Sequence, residues 1–219
     1  MVYRDTARPL TVAAAACVLL LAVACGGGQG ERVGGRDDAQ RALREAAQRL
    51  AQGQFKITYS ATISGGGQPS QGGQMVFYWR PGNFRLDFSA GPAQISLFTS
   101  QGQGQIGVMC DHTSRTCAEV TVGRDTSTPF GFDPNTIWQD IPGLLGSGPL
   151  QRSSRTIAGQ QATCWTGQSP YRVEVCLRND GALLSLSYEE AGQTFRMEAQ
   201  RVERPSDADF QPPYPVARG

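Results

Sequence analysis

The sequence predicts an α+β fold, with one N-terminal amphipathic helix followed by an antiparallel sheet of many short strands. Three observations predict it. Apolar residues recur at helical spacing between Asp37 and Gly53. From Phe55 onward, apolar and polar residues alternate in short runs, the period of a strand with one covered face. Clusters of Gly, Pro, Asn and Asp separate the runs so closely that neighbouring strands pair as a meander.

The helix opens at Asp37-Asp38, which offer an N-cap and a negative first turn. Ala39, Ala42, Leu43, Ala46, Ala47 and Leu50 share one face, while Arg41, Arg44, Glu45, Gln48 and Arg49 take the other. Gly53 ends it. A stripe made mostly of alanine predicts close approach to its partner.

Phe55, Ile57, Tyr59, Ala61 and Ile63 form the first strand, and the glycine-rich residues 64–73 read as a long turn. Residues 75–80 form the next strand, with Met75, Phe77 and Trp79 on one side and Val76 and Tyr78 on the other. Pro81-Gly82-Asn83 turns the chain into Phe84, Leu86 and Phe88; Gly91-Pro92 turns it into Ile95 and Leu97, with Phe98 beside them. Ile106, Val108 and Cys110 lead to a polar tip at 111–116, and 117–122 return. Residues 126–149 break the pattern with Pro129, Pro134, Pro142 and Pro149 among Phe130, Phe132 and Trp138. They read as a short helical insert that plugs one face of the sheet, with Asp133-Pro134 as a helix start. Period two returns in 156–165 and 171–177, a strand pair. Asn179-Asp180-Gly181 is a tight-turn signal. Ala182, Leu184, Leu186 and Tyr188 follow it, then 194–203. The prolines of the tail, around 209–213, argue against a regular element there.

The first residues are basic through Arg4 and Arg8, and residues 10–24 are apolar save Thr11. That run falls short of the ~20 residues needed to span a bilayer and reads as an export leader. The chain carries Lys+Arg 20 against Asp+Glu 19. Removing Arg4, Arg8 and Asp5 leaves the two signs equal, so a nucleic-acid partner is not expected. Cys17 lies in the leader. Cys110, Cys117, Cys164 and Cys176 lie in the body, an even number that reads as disulfides in an exported chain. Three pairings are possible, and Cys110–Cys117 with Cys164–Cys176 is favoured because each pair brackets a hairpin. A metal site is the weaker reading, because the spacings do not match zinc ligands and His112 is the one histidine. No metal and no cofactor are expected.

Catalytic signals are sparse. His112 sits in a polar tip and reads as a solvated loop residue. Ser153-Ser154, Ser169 and Ser185 lack the glycines of a nucleophile elbow. Gly65-Gly66-Gly67 and Gly102-Gln103-Gly104 precede neither Lys nor helix. The chain reads as no enzyme.

Two resemblances add to this. Leu21-Ala22-Val23-Ala24-Cys25 resembles the lipobox of bacterial lipoproteins. That resemblance implies cleavage before Cys25 and its modification by acyl chains such as palmitate, hence a lipid anchor at the extracytoplasmic face of the cell membrane. The alternative is a plain signal peptide cut after Ala22-Val23-Ala24. The stretches Arg80-Pro81-Gly82-Asn83-Phe84-Arg85, Gly159-Gln160-Gln161-Ala162-Thr163-Cys164, Cys176 with Asp180-Gly181-Ala182-Leu183-Leu184, and Asp209-Phe210-Gln211-Pro212-Pro213 resemble the LolA/LolB-like carrier superfamily and the mycobacterial LprG/LppX lipoprotein family. The resemblance implies a strongly curved, open sheet, a half-barrel, with the helix and insert on its concave face. It also implies an apolar surface that takes lipid or acyl chains. The expected organisation is a leader over 1–24, a flexible tether over 25–36, the domain over 37–213 and a tail over 214–219. The expected function is binding or transfer of a lipid or lipid-linked molecule by a monomer, with Phe77, Trp79, Phe88, Phe130, Phe132 and Trp138 as candidate ligand contacts. The alternative is an envelope scaffold or sensor with a dry aromatic core, acting through protein contacts.

Overall fold

The computed structural model describes residues 36–65, 68–100, 106–121, 141–146, 148–168, 171–190 and 192–217. Helix α1 (Arg36–Gln52) precedes strands β1 (Phe55–Gly65), β2 (Gln68–Arg80), β3 (Asn83–Ala90), β4 (Ala93–Ser100), β5 (Ile106–Asp111) and β6 (Thr116–Thr121). A short helix α2 (Ile141–Leu144) comes next, then β7 (Gln151–Ile157), β8 (Gln160–Gln168), β9 (Arg172–Arg178), β10 (Leu183–Glu190) and β11 (Gln193–Glu203). A 3₁₀ turn (Asp207–Phe210) and β12 (Val216–Ala217) end the described chain. All strands join one 12-stranded sheet in the order β12-β6-β5-β4-β3-β2-β1-β11-β10-β9-β8-β7. Every pairing is antiparallel except β12 on β6.

The sheet is open and curved, the architecture the LolA/LolB-like resemblance implies. One ion pair measures the bend. Three strands stand between β7 and β11, so a flat sheet would hold them roughly 19 Å apart. Arg155 of β7 nevertheless reaches Glu174 of β9 at 2.7 Å and Glu198 of β11 at 3.0 Å.

The alternation of side chains defines two faces. Phe55, Ile57, Tyr59 and Ala61 of β1 point to the face that α1 covers, where they join Leu43, Ala46 and Leu50 of the helix in the main core. Met197, Leu186, Val175 and Trp165 continue that face across β11 to β8. The alanine stripe permits close contact, and Gly181 meets it. A Cβ at Gly181 would lie 2.2 Å from the Leu50 nitrogen, and its φ is +94°. The Asn179-Asp180-Gly181 turn therefore needs glycine twice, for its left-handed backbone and for the helix pressed against it.

The structure corrects three expectations. Residues 64–73 are strand rather than a long turn at every described position: β1 runs to Gly65 and β2 begins at Gln68. Ladder bonds along both strands outweigh the weak strand preference of glycine. Residues 156–165 are not one strand. Ala158 and Gly159, at φ 49° and 72°, turn the chain between β7 and β8 in the twin left-handed form of a tight hairpin. Ala-Gly is a poor signal for that turn, because a side chain disfavours the first position. The tail also holds regular pieces: the 3₁₀ turn stands before Pro212, and β12 begins after Pro215. Of the insert, 122–140 lie outside the described residues, as do 1–35.

The tail crosses the face opposite α1. Lys56 pairs with Asp209 at 3.2 Å, and Arg85 Nη1 donates to the Asp209 carbonyl at 2.8 Å. Arg80 pairs with Asp207 and lies 4.3 Å over the Phe210 ring. The Asp209 carboxylate accepts the Ser206 N–H at 2.7 Å and its hydroxyl at 2.8 Å. Burial pushes the Asp209 carboxyl up, but those donors and Lys56 outweigh it and hold it below its ordinary value.

Substitutions at the turns and in the tail test this packing. Gly181→Ala is expected to lose about 3 kcal/mol in denaturant unfolding, from overpacking against α1 plus left-handed strain. Ala158→Asn should gain up to about 1 kcal/mol in the same assay, because asparagine tolerates the left-handed turn. Because Asp209 is more acidic when folded, its contribution is present above the unfolded value of ~3.9 and is lost as pH falls through the folded value. The difference in melting temperature between the wild-type chain and Asp209→Asn should therefore shrink below about pH 4.

Candidate functional site

The helix-bearing face is not equally covered along its width. Cross-strand register places Ile57, Phe77, Leu86, Leu97, Met109 and Ala118 in one row from β1 to β6. Ile57, Phe77 and Leu86 are buried; Leu97 is half-buried; Met109 is 45% exposed and Ala118 is exposed. The neighbouring row repeats the trend: Tyr59 and Met75 are buried, Phe88 and Ile95 half-buried. An apolar face thus emerges from beneath the helix and continues in the open over β4 and β5. Its charge is low, with Asp111 at its margin. The arrangement can hold an apolar chain by contact alone, and it offers no nucleophile or general base.

Sequence reading places six aromatics at a ligand site. Phe77 is in the core, edge-on to Tyr59 at 5.3 Å and tilted to Phe84 at 5.9 Å. Trp79 and Phe88 are partly buried on the same face, packed against that core. Phe88 stands where cover ends, one strand from Ile95. Phe130, Phe132 and Trp138 lie outside the described residues, as does Cys25. Phe98, read with this cluster, points the other way because it follows Leu97 on β4. Met109 is a surface residue of interest that sequence reading misses. The signal for it is present: an apolar position in an alternating strand with no further helix to cover it. Indole N–H groups of Trp79 and Trp165 are buried and have no acceptor among the described residues.

The opposite face carries a separate polar constellation. Cys110 and Cys117 are bonded (S–S 2.01 Å) across β5 and β6 and are buried with Phe98 beneath Tyr214 and Val216. Ser96 Oγ donates to Asp87 Oδ1 at 2.6 Å and lies 2.7 Å from His112 Nε2. Tyr214 Oη lies 3.3 Å from His112 Nδ1. His112 is therefore half-buried and bonded through both ring nitrogens, rather than a solvated loop residue. The Asp–Ser–His order puts the serine in the middle, with its hydroxyl held on both sides and fully buried. A nucleophile needs the histidine between serine and carboxylate and a reachable oxygen. This arrangement instead fastens the tail to the sheet, and Tyr214 and Val216 extend the folded body past Pro213.

Cys164 and Cys176 are bonded (S–S 2.09 Å) across β8 and β9 and are fully buried. With Glu174 they form a group of potential metal ligands. Both sulfurs are spent in the disulfide, so the group offers one carboxylate, which Arg155 already holds. No described helix is long and apolar enough to cross a membrane.

No family model and no curated protein matches the chain. Solved structures resemble it at low identity. An uncharacterised conserved protein from Thermus thermophilus is 14% identical, with 83% of this chain and 99% of that chain covered and a TM-score of 0.47. A DUF1329 family protein from Desulfovibrio piger is 10% identical, covering 80% and 97%, with a TM-score of 0.40. A LolA superfamily protein from Nitrosomonas europaea is 9% identical, covering 77% and 96%, with a TM-score of 0.40.

Proposed function

We propose that this chain is an exported, non-catalytic binding protein for a lipid or lipid-linked apolar molecule. In this reading Cys25 is acylated after removal of residues 1–24, and residues 25–35 tether a monomeric body to the extracytoplasmic face of the cell membrane. The observation that carries the reading is the apolar strip that leaves the helix at Phe88 and runs through Leu97 to the exposed Met109. Soluble monomers bury such surface or use it. An acyl chain laid along the strip removes it from water at about 25 cal/mol per Å². Two disulfides fit an oxidising compartment. The buried and doubly bonded Ser96 supports a role without bond-breaking chemistry.

Native mass spectrometry of the purified chain tests the reading. Co-purified acyl species are expected. A clean protein mass together with no binding of an apolar probe would refute it and favour the scaffold alternative. Met109→Glu should weaken apolar-probe binding about tenfold, by placing a charge on the strip. Its exposure predicts little change in melting temperature. Cys25→Ser should release the protein from membranes; retention would remove the lipid anchor from the proposal.

A further inference from the structure

A cleft of about 470 Å³ opens where the C-terminal end of α1 meets the start of β1 and the turn after β9. Its floor is apolar, formed by Phe55, which is buried, and Val202, which packs against the main core. The Phe55 ring lies over Gly53, where a Cβ would be 2.1 Å from it. The missing side chain at Gly53 thus lets the ring lie against the backbone.

The rim carries charge, and the local bonding shows which charge is available. Arginines in this chain are repeatedly neutralised by an acid two residues on. Arg85 bonds Asp87 at 2.7 Å, Arg178 bonds Asp180 at 2.6 Å, Arg196 bonds Glu198 at 2.6 Å and Arg201 bonds Glu203 at 2.9 Å. Two of those pairs reach the rim: Arg178 with Asp180, and Glu203 held by Arg201. Arg204 breaks the pattern, because Ser206 stands two places on. Its guanidinium donates to the Gln54 side-chain oxygen at 3.4 Å, and it makes no ion pair among the described residues.

The geometry points to this cleft as the docking site for the anionic head of a single-chain amphiphile, with Arg204 as the cation and Phe55 and Val202 as the apolar floor. The volume suits a small molecule rather than a macromolecule. The acids on the rim are already paired, so the site presents one net positive charge beside an apolar surface. A carboxylate or a phosphate ester satisfies a guanidinium equally well, and an alkyl chain satisfies the floor. The inference rests on the lipid-binding reading and adds the headgroup class to it.

Calorimetric titration of the full chain with decanoate, 1-decanol and inorganic phosphate tests it. The expected result is about fivefold tighter binding of decanoate than of decanol, as a solvent-exposed charge pair supplies. That preference should disappear in Arg204→Gln and shrink at high salt. If both alkyl probes bind but Arg204→Gln leaves their ratio unchanged, the headgroup assignment falls while the lipid-binding reading stands. If inorganic phosphate binds as tightly as decanoate with the same dependence on Arg204, the cleft is an anion site and the amphiphile assignment falls. If neither alkyl probe binds, both readings fall together.

Discussion

The pairing of β1 with β11 is the constraint on which the rest of the sheet depends. Strands β1 to β6 form one meander and β7 to β11 another, and this ladder is the seam between them. It runs from Lys56 opposite Glu203 to Gly65 opposite Gln193, with an irregularity between Thr58 and Tyr59. Tyr59 sits at that irregularity, fully buried, and its hydroxyl donates to the Leu183 carbonyl on β10 at 2.6 Å. A side chain from one meander therefore satisfies a backbone group in the other. Burial raises the Tyr59 hydroxyl pKa well above its ordinary value, so it stays a donor. The ladder closes a loop of most of the chain, and such contacts are costly in entropy until they form. The helix then covers the seam from one side.

That geometry also decides where apolar surface is left over. A 17-residue helix is about 25 Å long and roughly 10 Å wide. A 12-stranded sheet is roughly 50 Å across. One helix centred on the seam cannot reach β4 to β6. The alanines of α1 bring it closer to the sheet, which improves contact over β1 and β9 but narrows its cover. Leaving a methionine half in water forgoes about 1 kcal/mol of burial, and the fold accepts this at Met109. The opposite face has no such deficit, because the tail covers Phe98 and the Cys110–Cys117 disulfide.

Helix α1 was legible to within a residue because its signals agree: an acidic start, an apolar stripe and a terminal glycine. Strand runs were legible by alternation, and alternation also assigns faces. Phe98 was misplaced only because its aromatic character outweighed its parity with Leu97. The turn at Ala158-Gly159 was hidden because alanine is a rare occupant of a left-handed position. The role of the tail was hidden for a different reason. Its prolines carry local information about where elements cannot form, whereas the bonds from Lys56, Arg80 and Arg85 come from the opposite end of the domain. His112 shows the same limit. Nothing near it in sequence announces Tyr214, which comes from the far end of the chain. Most of the apolar strip was legible as strand; its exposure was not, since that depends on the reach of the helix.

Charge follows a rule that the composition conceals. The near equality of acids and bases is achieved locally, by arginines bonded to an acid two places along the same strand face. Such pairs neutralise each other wherever the strand goes, so they neither steer a ligand nor depend on the tertiary fold. An arginine outside the rule keeps its field. Arg80 and Lys56 also stand outside it, but the tail supplies their acids, Asp207 and Asp209. Arg155 takes its acids from β9 and β11 through the curvature of the sheet. The exceptions on the two faces thus have structural partners, and they fasten the tail and the edge strand. At Arg204 neither the strand nor the tail returns an acid. A positive charge beside an apolar floor is left there, at the end of the same ladder that holds the two meanders together.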